Sequence, residues 1–139
     1  TRFLMKGGVY PDYVLRLYKK EGAYFELKDV HENVKVNGEA GYLRNSIQHF
    51  ADPDFSRYLL RWDRYTSFEA SRLKEQGKNP GVFDFLNYFI IKPKIWFLMT
   101  YFRHKGFMDG FPGFVFSLFS SLRFFVIYVK WWSLTRSKK

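Results

Sequence analysis

The sequence contains no cysteine, which excludes disulfide bonds, thiolate metal sites and cysteine nucleophiles. It also lacks glycine-rich phosphate loops, zinc-ligand spacings and the Gly-x-Ser-x-Gly turn found in many hydrolases. Acidic residues are scarce: 13 of them stand against 23 lysines and arginines, which gives a net charge of +10. Such an excess predicts an anionic partner, either a phospholipid surface, a nucleotide or glycan phosphate, or a nucleic acid.

Aromatic side chains, in contrast, are abundant. The 139 residues include 17 phenylalanines and 10 tyrosines. This is more aromatic surface than a small soluble core needs, so we expect part of it to face lipid or a partner. The length suits one domain with a modest core, or a piece of one. Because the chain opens at Thr1 without a methionine or a signal-peptide pattern, we expect it to be part of a longer protein.

Short strands are predicted in the first segment of the chain, residues 1–51. Alternating, strand-forming stretches lie at residues 13–19, 23–27, 34–36 and 42–50. The first two flank the turn Glu21-Gly22 and predict a β-hairpin, and the third would end at the turn Asn37-Gly38. Four short strands do not close a sheet around a core of their own. We therefore expect them to form the edge of a larger sheet.

Three or four aromatic-rich helices are predicted in the second segment, residues 52–139. Apolar residues at spacings of three and four predict helices at residues 53–76, 82–91, 95–104 and 111–132. Pro53 suits the first position of a helix, whereas Pro93 is expected to break or kink the chain between the second and third helices. The arginines along the first helix predict either a solvated face or an anion-binding stripe.

The last predicted helix carries the pattern of a membrane-surface segment. In a helical projection its apolar residues share one face, and Ser117, Ser120, Ser121, Arg123 and Lys130 fall on the other. This pattern favours an amphipathic helix lying in the interface of a bilayer, with an ordinary core helix and a true membrane span as alternatives. The predicted membrane-contacting residues are Phe114, Leu118, Leu122, Phe125, Lys130, Trp131 and Trp132.

Few residues suggest chemistry, and each has a structural alternative. His31 and Glu32 are adjacent, and such a pair either ligates a divalent metal, orients a diphosphate or an acceptor hydroxyl, or is structural. Asp12 is a candidate base or simply a turn residue. Arg16 is a candidate phosphate ligand or a strand charge. No ribonucleoprotein-type aromatic strand motif is present, so nucleic acid is not the expected partner.

Several short motifs, taken in order, resemble the C-terminal half of bacterial family 2 glycosyltransferases of the lipopolysaccharide-core and cell-envelope type. These motifs are Tyr10-Pro11-Asp12-Tyr13, Leu15-Arg16-Leu17-Tyr18, Val30-His31-Glu32, Gln48-His49-Phe50, Tyr58 with Arg64-Tyr65 and Glu69-Ala70, Gly77-Lys78, and Lys105-Gly-Phe-Met-Asp-Gly-Phe-Pro-Gly-Phe114. Each motif is loose, but their order covers nearly the whole chain. The N-terminal nucleotide-binding half of such enzymes, with its Asp-x-Asp metal motif, has no counterpart in this sequence.

The resemblance implies an α/β fold of the GT-A type, of which this chain would be the C-terminal portion. It implies an inverting transfer of a sugar from a nucleotide sugar to a lipid-linked or lipopolysaccharide-core acceptor, with Mg or Mn as cofactor. His31 would then hold the metal and diphosphate beside Glu32, Asp12 would be the candidate base, and Arg16 would approach the diphosphate. The enzyme would lie peripherally on the cytoplasmic face of the bacterial inner membrane. The alternative is a non-catalytic membrane-associated binding module.

Overall fold

The computed structural model describes residues 4–25, 34–48 and 52–137. The chain divides into two compact units. The smaller unit is Pro11–His49, and the larger, helical unit combines Thr1–Tyr10 with Phe50–Lys139. The described residues 4–10, which the sequence analysis placed in the first segment, are thus grouped with the helical unit.

In its described residues, 11–25 and 34–48, the smaller unit contains one antiparallel strand pair, β1 (Ala23–Tyr24) and β2 (Lys35–Val36). Ala23 lies opposite Val36. The turn residues fit the sequence prediction, because Gly22 and Gly38 have positive φ angles of 92° and 144°, which glycine adopts without steric cost. The amide of Asn37 donates to the carbonyl of Gly22 at 3.0 Å and extends the pairing by one bond.

Two predicted strands are not formed in the described part of this unit. Residues 13–19 and 42–48 have no strand conformation, and the hairpin partner of β1 is β2 rather than residues 13–19. Tyr13 and Leu17 are 76% and 79% exposed. An alternating pattern marks a possible face, but a strand forms only where a neighbouring strand accepts and donates its hydrogen bonds. The GT-A fold itself remains a prediction.

The first helix, α1 (Phe55–Glu75), forms in the predicted region, but Pro53 lies before its N-cap and does not take the first helical position as predicted. Asp54 is its N-cap, and its side chain accepts a hydrogen bond of 2.8 Å from the amide of Arg57. Gly77, with φ of 69°, follows the helix, as the predicted stop signal requires. Asp52, just before the helix, forms an ion pair with Arg61 on the second turn.

The chain from residue 82 to 103 is continuously helical rather than broken at Pro93. It consists of α2 (Val82–Leu86), a π-helical turn (Asn87–Ile91), α3 (Lys92–Phe97) and a second π-helical turn (Leu98–Arg103). Proline has no amide hydrogen to donate to the preceding turn. The wider π-helical turn that precedes α3 accommodates this loss, so the helix changes its winding and does not end.

The longest helix, α4 (Phe111–Arg136), is the centre of the helical unit. Phe119 packs against Phe55 and Tyr58 near the start of α1, and Lys130 contacts Asp63 further along, so α1 and α4 run parallel. Tyr128 packs on Phe85 and Phe114 packs on Tyr101, so the helical segment 82–103 runs antiparallel to α4. α4 therefore packs on α1 and on segment 82–103.

Candidate functional site

The structure places two of the four predicted catalytic and ligand residues. Asp12 and Arg16 lie in the irregular part of the smaller unit, and both are exposed. His31 and Glu32 lie outside the described residues. Arg16 lies between Leu15 and Leu17 in the sequence. These two leucines line a cavity of about 310 Å³ that is completed by residues around β2. The roles assigned to these four residues therefore remain predictions.

A metal site is not evident in the part of the chain that the structure describes. Within residues 4–25, 34–48 and 52–137, no three histidine or carboxylate side chains converge as metal ligands. A divalent cation usually needs several oxygen or nitrogen ligands at once. The expected Mg or Mn thus remains a prediction that concerns His31.

The motif at residues 105–113 forms a buried corner between segment 82–103 and α4. Gly106–Asp109 makes one turn of 3₁₀-helix, and Asp109 is only 6% exposed. Its Oδ2 accepts hydrogen bonds from the amides of Met5 and Lys6, at 2.9 and 2.7 Å. A carboxylate with two backbone donors forms strong, charge-assisted bonds. Asp109 therefore fastens the beginning of the chain to the helical unit, a role that the sequence analysis did not assign.

The glycines of this corner are required by close backbone approach. A Cβ atom on Gly113 would lie 2.0 Å from the carbonyl oxygen of Gly106. A Cβ atom on Gly106 would lie 2.8 Å from the carbonyl oxygen of Thr100 and 3.0 Å from the hydroxyl of Ser117. The spacing of these glycines within the motif was the available sequence signal. Close packing thus explains Gly106 and Gly113 of the motif.

A second cavity lies beside this corner. It measures about 190 Å³ and is lined by Gly7, Gly8, Trp96, Met99, Thr100 and His104. The amide of Gly7 donates to the carbonyl of His104 at 2.9 Å. Gly7 and Gly8 have φ angles of 71° and 83°, so the chain turns tightly against the histidine ring. The cavity has mainly apolar walls and one imidazole.

The predicted membrane-contacting residues of α4 differ widely in exposure. Phe114 and Trp132 are 38% and 41% exposed. Leu118, Leu122 and Phe125 are partly buried.

Trp131 is 1% exposed and its indole N–H donates to the carbonyl of Lys78 at 3.1 Å. For Trp131 the expectation is corrected: its ring is enclosed by the protein and is not available to lipid in this conformation.

Lys130 has partners within the protein. Its ammonium group lies 2.5 Å from Oδ1 of Asp63 and 3.0 Å from the carbonyl oxygen of the same residue. It also donates to the hydroxyls of Thr66 and Ser67, at 2.9 and 2.8 Å. The N–H groups of Lys130, which were expected to contact lipid headgroups, are therefore hydrogen-bonded within the protein. Lys130 therefore holds α4 against α1 in this structure.

The serines of α4, which the helical projection places opposite the apolar face, are buried in the structure. Ser117, Ser120 and Ser121 are 0%, 8% and 5% exposed. Small side chains allow neighbouring elements to approach closely, and a serine hydroxyl can bond back to its own helix. Ser121 does so, donating to the carbonyl of Leu118 at 2.7 Å. The face that looked polar in projection is thus a packing face.

Among the described residues of the helical unit, three cations lie over aromatic rings: Arg136 over Trp132, and the more enclosed Lys92 and Arg123. The ammonium of Lys92 is 3.7 Å from the ring centroid of Tyr88, and the guanidinium of Arg123 is 4.4 Å from that of Trp96. Both also approach the ring of Phe124, at 5.8 and 4.9 Å. Burial lowers the pKa of Arg123, and the Glu69 carboxylate opposes this shift. Cation–π contact compensates in part for the water that these groups lose.

One comparison with known proteins bears on function. The chain is 31% identical over 103 residues to the lipopolysaccharide core biosynthesis glycosyltransferase LpsC of Rhizobium meliloti (strain 1021). The matched region covers 73% of this chain and 37% of that protein, so the chain spans little more than a third of the relative's length. No protein-family model matches the chain. No solved structure matches it either.

Proposed function

We propose that this chain is part of a glycosyltransferase that adds a sugar to a lipopolysaccharide-core or other lipid-linked acceptor. The observation that carries the proposal is the similarity to a glycosyltransferase of lipopolysaccharide core biosynthesis over 73% of this chain. The ordered motifs from Tyr10 to Phe114 support the finer assignment to family 2 and to a GT-A fold. A peripheral position on the cytoplasmic face of the inner membrane would bring the enzyme to such an acceptor, and the net charge of +10 suits an anionic surface.

The proposed reaction is an inverting transfer. A base removes the proton from the acceptor hydroxyl, the oxygen forms a bond to the anomeric carbon, and the nucleoside diphosphate leaves from the opposite face. Asp12 is the proposed base, and its exposure gives an acceptor access to the carboxylate. Arg16, also exposed, is proposed to contact the diphosphate through its guanidinium. His31 is the proposed metal ligand for Mg or Mn, with Glu32 as its neighbour.

The second candidate is a non-catalytic membrane-associated binding module. It is favoured by one observation, the large number of exposed apolar side chains in the helical unit. Under this alternative the aromatic helices would be the functional part, and the pair His31-Glu32 would be structural. Catalytic activity of the full-length protein separates the two candidates.

The test is sugar transfer by the full-length protein with Mg or Mn and a panel of UDP and GDP sugars, comparing wild type with His31→Ala. We expect transfer to a lipopolysaccharide-core acceptor by the wild type and a loss of at least about tenfold in the variant, since even loss of a group that supports a metal ligand costs roughly 10- to 100-fold. Arg44→Ala, which changes a residue given no role in the site, is the control and should stay active.

Each outcome has a defined meaning. An active wild type and an inactive His31→Ala protein support both the enzyme class and the role of His31. An equally active variant would contradict the role of His31 and leave the class standing. No transfer with any donor would contradict the glycosyltransferase proposal and favour the binding module.

A further inference from the structure

The helical segment 82–103 presents one exposed apolar face, which we call the apolar strip. It consists of Leu86, Ile91, Ile95, Leu98 and Phe102. These side chains are 42% to 55% exposed, although each is large and apolar. Successive members are five, four, three and four residues apart, and the step of five spans the first π-helical turn. This spacing keeps them on one side of the segment.

Further apolar side chains continue the strip towards α4. Phe107, Met108 and Phe111, in the corner after the segment, are 49%, 54% and 76% exposed. Soluble proteins rarely leave so many neighbouring apolar side chains in water, and surfaces of this kind usually bind a protein or a membrane. This exposure indicates a surface that binds a partner.

The charges around the strip indicate what that partner is. No acidic residue occurs between Asp84 and Asp109, whereas this stretch contains Lys92, Lys94, Arg103 and Lys105. Lys94, Arg103 and Lys105 are exposed. Asp84 accepts a hydrogen bond from the amide of Gly81, and Asp109 is buried. An apolar face with exposed cations and no exposed acid beside it complements an anionic phospholipid surface.

We propose that the apolar strip, rather than the outer face of α4, is the surface that docks on an anionic bilayer. α4 is less available, because it packs on α1 and on segment 82–103, Trp131 is enclosed and Lys130 is bound to Asp63. The strip enters the acyl region to the depth of its side chains, and Lys94 and Arg103 contact lipid phosphates. This inference rests on the proposed function in one respect, namely that the acceptor of the sugar is held in a membrane.

The experiment is flotation of the full-length protein with vesicles of phosphatidylcholine alone or with 30% phosphatidylglycerol. Wild type is expected to bind the anionic vesicles and to bind neutral ones far less. Ile91→Ser with Ile95→Ser should weaken binding at least about tenfold, since both side chains lose buried apolar area. Lys94→Gln with Arg103→Gln should weaken binding to anionic vesicles roughly fivefold per residue and leave neutral vesicles unaffected.

The matched control is Leu60→Ser with Phe68→Ser on α1. These side chains are 64% and 38% exposed, and their helix carries five basic residues but, unlike the strip, also three acidic ones, Asp63, Glu69 and Glu75. The control should bind vesicles like the wild type, and circular dichroism should show that every variant is folded. All substituted positions are at the surface or partly exposed, so loss of binding with retained helicity reports the surface itself.

Several results would overturn the proposal. Unchanged binding of the Ile91 and Ile95 variant would do so, and so would an equal loss in the α1 control. A loss seen only when Arg136, Lys138 and Lys139 are neutralised would return the membrane contact to the end of α4. An active full-length enzyme that ignores vesicles would show that another part of the protein, or a second copy, covers the strip. A protein that binds vesicles but transfers no sugar would instead contradict only the proposed function.

Discussion

At the scale of residues, Tyr58 is a partly buried hydroxyl at the interface of α1 and α4. Its ring lies 5.9 Å from that of Phe55 and 6.1 Å from that of Phe119. Burial raises the pKa of Tyr58 above its ordinary value of 10.0, and a hydrogen bond with Ser120 partly opposes the shift. The protonated phenol is therefore preferred in the folded state.

This preference predicts a pH dependence of stability. A group whose folded pKa is raised contributes stability that is present below its unfolded pKa of 10.0 and is lost as pH rises through the folded value. We expect the unfolding free energy of the full-length protein to fall above pH 10, and Tyr58→Phe to reduce this fall. Urea unfolding at a series of pH values measures this fall in the wild type and in the variant.

Tyr42→Phe is the control for the Tyr58 prediction. Tyr42 is 81% exposed, so its hydroxyl meets water in both the folded and the unfolded state. Its substitution should leave the alkaline part of the curve as steep as in the wild type. An equal effect of the two substitutions would show that the burial of Tyr58 does not set the pH dependence.

Single residues also show where sequence reasoning succeeds and where it fails. Gly77 marks the end of α1 as predicted, and the predicted start at Pro53 is two residues too early because the N-cap is Asp54, so local capping signals place a helix end only to within a few residues. Ser117 is different: whether a serine on a helix meets water or another helix depends on what packs there. The same limit applies to Trp131, whose aromatic ring suits a membrane surface and a protein core equally well.

At the scale of elements, the corner at residues 105–113 holds the start of α4 against the 3₁₀ turn. We expect Gly113→Ala to lower the unfolding free energy by about 3 kcal/mol or more, because its Cβ would overlap backbone that no side-chain rotation can relieve. Urea unfolding of the full-length protein checks this value.

Gly81→Ala is the control for the corner. Gly81 precedes α2, and a Cβ atom there would meet only the Asp84 carboxylate, at 3.6 Å. Its substitution should cost less than about 1 kcal/mol, the typical loss for an alanine at a helix N-cap. If Gly113→Ala were as mild, the close approach of Gly106 and Gly113 would be absent in solution.

Helices were predicted far better than strands in this chain. The residue spacing of α1 and α4 is a local property, so their positions agree with prediction to within a few residues. Strand formation depends on a pairing partner elsewhere, and residues 13–19 show that alternation alone does not supply one. Pro93 correctly indicated an irregularity in the helix. Whether the helix breaks there or continues through a π-helical turn depends on the residues around Pro93.

At the scale of the whole molecule, α4 is long and apolar enough to cross a membrane. None of the other described helices meets both conditions. In this structure α4 packs on α1 and on segment 82–103 within the helical unit, with hydrogen bonds from Trp62 to Phe119 and from Lys130 to Asp63. A spanning α4 would have to give up these contacts. The arrangement therefore agrees with the proposal that the helical unit lies on a bilayer through its apolar strip.

The most direct measurement is transfer of sugar by the full-length protein to two forms of one acceptor, lipopolysaccharide core embedded in anionic vesicles and its water-soluble, delipidated oligosaccharide. If the protein is a glycosyltransferase that docks through the apolar strip, the wild type uses both forms. Ile91→Ser with Ile95→Ser then loses at least about tenfold in kcat/KM on the vesicle form alone. Absence of transfer to either form by the wild type, or an equal loss on both forms in the variant, would contradict this account.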